Sequence, residues 1–63
     1  MKTFKIEILE SISNGWWWRL RGLNGKILCH SEEYKSKDMA NKTAKMLGKA
    51  LKAKIVDLTE NSI

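Results

Sequence analysis

From Thr3 to Leu9 apolar and polar residues alternate, Phe4, Ile6 and Ile8 against Lys5 and Glu7, the pattern of a strand with one face buried. Ser11 to Gly15 supplies turn residues. Two further strands are predicted, Gly15 to Leu23 and Lys26 to Ser31, joined by Asn24-Gly25. That dipeptide suits a two-residue type I′ turn, because both central residues of such a turn need positive φ. Counting outward from it pairs Arg21 with Leu28, Leu20 with Cys29 and Arg19 with His30. Successive side chains on a strand point to opposite faces, so Trp16, Trp18 and Leu20 share one face with Ile27 and Cys29. Trp17, Arg19 and Arg21 share the other with Leu28 and His30. The first face predicts a core, the second an aromatic ring set between two cations.

Ser36 is a suitable helix N-cap, and Asp38 falls in the first turn, where the helix dipole favours negative charge. In the helix that starts there, Ala40, Thr43, Ala44, Leu47 and Leu51 lie on one side. Lys42, Lys45, Lys49 and Lys52 fall within an arc of about 80° opposite. Gly48 leaves two readings open. It sits inside the helix at about 1 kcal/mol relative to Ala, or it is the left-handed residue that ends it, taking Lys49 and Lys52 out of the stripe. The β-branched run Lys54 to Thr59 predicts a fourth strand. The order is βββαβ, an α+β domain spanning residues 1–63, with a mainly antiparallel sheet and its helix on one face.

A domain of 63 residues buries only about 60% of the surface its unfolded chain exposes, so help from a staple or a partner is expected. Cys29 is the single cysteine, which excludes an intrachain disulfide. One cysteine and one histidine cannot complete a four-ligand zinc site, and no metal or cofactor is expected. Self-association is the remaining remedy. No stretch approaches the roughly 20 apolar residues of a membrane span, and Met1-Lys2-Thr3-Phe4 has no continuous apolar core, so the chain reads as soluble and cytoplasmic. The net charge of +5 is uneven: residues 35–54 hold seven lysines against one aspartate.

The residues that carry chemistry point to binding. Trp16 and Trp18 are expected in the core. Trp17, flanked by Arg19 and Arg21, has the makings of a nucleobase stacking platform, of a protein-interface anchor, or of a cation–π patch that only covers the sheet. The lysine stripe would track phosphates or simply be solvated, and no RNP signature, zinc spacing or helix-turn-helix pattern accompanies it. Cys29 and His30 are adjacent on a strand and point to opposite faces, so they cannot meet as nucleophile and base; a buried cysteine and a surface histidine are expected. Glu32 and Glu33 lack a third group or a phosphate loop, so no enzyme is expected. Tyr34 is expected to pack against the helix start. Arg19 has a structural alternative, an ion pair with Glu7 on the neighbouring strand.

Three strings, Trp16-Trp17-Trp18-Arg19-Leu20, Asn24-Gly25-Lys26-Ile27 and Ser31-Glu32-Glu33-Tyr34-Lys35-Ser36-Lys37, with Ala40 near the helix start, resemble the pattern of the YegP-like family from about Phe4 to Thr59. The resemblance implies a β3-α-β unit that pairs with a second copy, here as a homodimer exchanging C-terminal strands, and brings no activity. Cys29 stands where a small residue such as Ala is usual, and lysines replace more neutral helix positions. The expected function is a non-catalytic protein-interaction or regulatory module of the homodimer. Its small size and Lys- and Asn-rich composition would suit a phage or mobile-element product. Sequence-tolerant nucleic-acid binding is the alternative. The candidate surface is Trp17, Arg19, Arg21, His30, Lys42, Lys45 and Lys49.

Overall fold

The computed structural model describes residues 3–59. Strands β1 (Lys5–Glu10), β2 (Trp16–Arg21) and β3 (Ile27–His30) precede helix α1 (Lys37–Leu51) and strand β4 (Lys54–Asp57), the βββαβ order expected. They form one mixed sheet in the order β3-β2-β1-β4, in which β2 runs antiparallel to both neighbours and β4 runs parallel to β1. A parallel neighbour needs a crossover, and α1 supplies it, packed on one face. β4, which the family resemblance assigns to exchange with a second copy, completes the chain's own sheet, Ile6 opposite Ile55 and Glu7 opposite Val56.

Both hairpins close with the same turn, and it is not the type I′ expected at Asn24-Gly25. Gly25 N–H donates to Gly22 O (3.0 Å) and Gly22 N–H to Lys26 O (2.8 Å), and within this turn only Gly25 takes positive φ (83°). This is a three-residue loop, a type I turn followed by one left-handed residue. Asn14 (φ 67°) plays the same part between Ser11 and Gly15, with Asn14 N–H on Ser11 O and Ser11 N–H on Gly15 O. The longer loop moves the β2–β3 register by one residue, so that Arg21 faces Ile27 rather than Leu28. A bulge between Leu20 and Arg21 then restores Leu20 opposite Cys29 and Arg19 opposite His30, the two pairs expected. The extra residue, Leu28, does not join the face of Arg21: it lies against Gly22, where an added Cβ would come 3.3 Å from its side chain.

The core is Ile6 and Ile8 of β1, Leu20 of β2 and Ala44 of α1, with Phe4, Trp18, Leu47, Leu51, Ala53 and Ile55 packed around it. α1 contacts β1, β2 and β4 but does not reach β3, whose four residues are all exposed. The expectation that Ile27 and Cys29 are core therefore fails, because no element among the described residues covers the edge strand. Trp16 is half-buried outside the cluster, bridged to Tyr34. Trp18 meets the expectation in part, half-buried against the core with its Nε1–H on Thr43 Oγ1 (3.2 Å).

Ser36 caps α1, its Oγ accepting from Met39 N–H (3.3 Å). Gly48 lies inside the helix, which settles its two readings by contact. A Cβ there would stand 2.7 Å from Ile55 Cδ1, so glycine lets α1 approach β4. The left-handed residue is Lys52 (φ 54°, ψ 42°), and Ala53 N–H reaches back to Gly48 O (2.8 Å), a Schellman closure. Lys37 of the first turn pairs with Asp57 of β4 (Nζ to Oδ2, 3.0 Å), tying helix start to strand end.

Candidate functional site

Alternation along β1 and β2 places Glu7 on the sheet face that α1 leaves open, among Trp17, Arg19 and Arg21. Glu7 is 8% exposed, and its Oε1 accepts from Arg19 Nε (2.5 Å) and Arg21 Nε (2.8 Å). Burial pushes the Glu7 carboxyl up, but the hydrogen bonds and charges of the two guanidiniums outweigh it and hold the group below the ordinary glutamate value. Arg21 also donates through Nη1 to Gly25 O (2.7 Å), across its own hairpin. The structural alternative for Arg19 is thus realised and extends to Arg21. One carboxylate offsets two cations, leaving this cluster a net charge of about +1.

Trp17 stands next along β2, opposite Leu9, and meets His30 of β3 edge to face at 5.9 Å between ring centroids. Beyond them the chain does something the pattern did not foretell. Ser31 N–H donates to Trp18 O (2.8 Å), Trp18 N–H donates to Ser31 Oγ (3.0 Å), and Trp16 and Tyr34 exchange both backbone bonds (2.9 and 2.6 Å). Two residues, Glu32 and Glu33, therefore stand opposite Trp17 alone, the two-for-one geometry of a bulge. The result is an open groove of about 400 Å³ lined by Trp17, His30, Ser31, Glu32 and Glu33. Glu33 is held in place: Ser13 Oγ lies within hydrogen-bonding distance of both its carboxylate oxygens (3.0 and 3.2 Å), and its stem covers Gly15.

The seven residues expected on one surface separate into two. Trp17, Arg19, Arg21 and His30 gather on the open face, whereas Lys42, Lys45 and Lys49 are exposed on the solvent side of α1, in the opposite layer. Cys29 is exposed, not buried as expected. Tyr34 lines an apolar groove of about 380 Å³ with Trp18 and, from the middle and later turns of α1, Thr43, Met46, Leu47 and Ala50. Glu32 and Glu33, weighed in the sequence only as a catalytic pair, become neighbours of Trp17. Their adjacency was visible; the bulge that brings both to the groove beside Trp17 was not.

Among the described residues no group of three or more His, Cys, Asp or Glu side chains is placed to hold a metal ion, and no helix is long and apolar enough to cross a membrane. Fold and site together define a two-layer α+β domain with one sheet face that no element among the described residues covers, furnished with ordered aromatic and charged groups. The family model described as Domain of unknown function (DUF1508) matches residues 12–57, and the chain belongs to this YegP-like family. No curated protein and no solved structure matches it.

Proposed function

We propose that the chain is a non-catalytic protein-interaction module that works as a homodimer and meets its partner through the open sheet face. The observation that carries this reading is the fixing of Arg19 and Arg21 on one Glu7 oxygen beside the half-buried Trp17, on a face that no element among the described residues covers. Trp and Arg are the side chains most enriched among interface hot spots, and groups already held in place lose little freedom on binding. The nucleic-acid reading gains less: Glu7 halves the arginine charge, and the lysines lie in the opposite layer from Trp17.

The dimer is supported by the small core, by exposed Leu28, Met39 and Met46, and by the family resemblance, which assigns β4 to exchange. Exchange would remake the β1–β4 ladder between copies. Sedimentation at micromolar concentration is expected to give a dimer, and a folded 7.3 kDa species throughout would refute that part. For the face, nuclease-treated lysate passed over the immobilised protein and over folded Trp17→Ala and Arg21→Ala variants is expected to yield a defined protein retained only by the parent. Nuclease-sensitive retention that depends on Lys42, Lys45 and Lys49 would favour nucleic acid instead.

A further inference from the structure

We infer that the groove beside Trp17 receives a cationic side chain, a lysine or arginine from a basic segment of a protein partner. This rests on the reading of the open face as a protein contact surface and names the partner's chemistry at one end of it. The groove offers the indole of Trp17 as a wall, braced by His30 at 5.9 Å, and the carboxylates of Glu32 and Glu33 as the charges. An ammonium or guanidinium within about 6 Å of a Trp centroid is attracted by the ring, and carboxylates beside the ring add a charge attraction of their own. Glu33 arrives pre-positioned by Ser13 Oγ and by the seat over Gly15. In a chain of net charge +5 the groove is a local acidic spot. Arg19 and Arg21 do not line it and are turned toward Glu7. A base stacked on Trp17 would bring its phosphates against two carboxylates, so the same geometry that suits a basic peptide opposes a nucleic acid.

The test titrates the full chain at low salt with end-blocked triarginine, and in parallel with triglutamate and an oligothymidylate, following indole and backbone amide NMR signals. Triarginine is expected to shift Trp17, Glu32 and Glu33, with affinity at least tenfold lower in Trp17→Ala and in the Glu32→Gln/Glu33→Gln variant. Both glutamates are exposed, so the second variant reads the charge even where the first fails to fold. Gly15→Ala would place a Cβ 2.4 Å from Glu33 Cγ and displace that side chain, and it is expected to weaken binding with no change of charge. Triarginine shifts of equal size in the double glutamine variant would overturn the inference. So would triglutamate shifting only Arg19 and Arg21, though the face would then stand as a protein contact. Oligothymidylate shifting Trp17 more tightly than either peptide would sink both.

Discussion

Gly48→Ala sets two effects of known size against each other inside one contact. Alanine is favoured over glycine in a helix interior by about 1 kcal/mol, and α1 is regular through this position. The added Cβ would stand 2.7 Å from Ile55 Cδ1, closer than any carbon pair tolerates, with Ile55 Cγ1 at 3.5 Å and Ile6 Cδ1 at 3.6 Å already in ordinary contact. Ile55 is half-buried in β4 and packs against the core, so turning its terminal Cδ1 aside is expected to cost about 1 to 3 kcal/mol and the net change is a loss of up to about 2 kcal/mol. Ile55→Val removes Cδ1 alone and costs about 0.5 to 1.5 kcal/mol by itself. In that background the close contact is gone, and Gly48→Ala is expected to stabilise by about 1 kcal/mol. Urea denaturation of the four proteins at one fixed concentration, read by tryptophan fluorescence, gives the cycle. An equal effect of Gly48→Ala in both backgrounds would refute the claim that close approach to Ile55 is what requires glycine.

Trp18→Ala is expected to cost about 3 kcal/mol, since Trp18 packs on the core and bonds Thr43, and Trp17→Ala about 1 kcal/mol; equal losses in denaturant titrations would contradict the division of faces. Arg19→Ala and Arg21→Ala are each expected to cost about 1 to 2 kcal/mol, and to lose most of that effect when made in Glu7→Gln, because both act on one oxygen. Glu7 and Asp57 both titrate below their ordinary values in the folded chain: burial raises each, and the hydrogen bonds and charges of Arg19 and Arg21, or of Thr59 and Lys37, outweigh it. Their contribution is complete above the unfolded carboxylate values of about 4 and is lost as pH falls through the folded ones, so thermal midpoints should drop in acid. Glu7→Gln is expected to lower the neutral midpoint and flatten that drop; an unchanged acid limb would exclude Glu7 as a source.

Local signals carried the element order, because each is written in short-range chemistry: the alternation of β1, the Ser36 cap, the β-branched run of β4. The division of β2 into a face with Trp18 and Leu20 and a face with Trp17, Arg19 and Arg21 followed from the two-residue period, and the pairing of Arg19 with His30 from counting outward from Asn24-Gly25. That pairing was reached through the wrong turn, since an extra turn residue and the bulge at Leu28 cancel within four positions. Burial was less legible because it depends on how far one helix reaches. Cys29 sits on the core side of the sheet by register, yet α1 stops short of β3. The Trp17 groove was hidden for a related reason: Ser31 Oγ takes the place of a ladder bond, and no spacing of apolar residues announces a hydroxyl that lets two glutamates share one partner.

If β4 exchanges as proposed above, Lys52 would give the fold a small built-in bias toward opening. It holds a left-handed backbone without glycine's freedom, at about 1 kcal/mol, and with Ala53 it makes up the whole link between α1 and β4. While the link stays folded back, β4 faces its own β1 at an effective concentration on the order of millimolar, and another chain must compete with that. An extended link would remake the ladder bonds from Phe4 to Ile8 on a second molecule and release Lys52 from its turn. Ladder energies then nearly cancel between the two forms, and what is left is a contest between chain entropy and one strained residue. Lys52→Gly removes the strain and would shift the balance about fivefold per chain toward the closed form, so that in the proposed dimer a single surface lysine would be a setting for assembly rather than for binding.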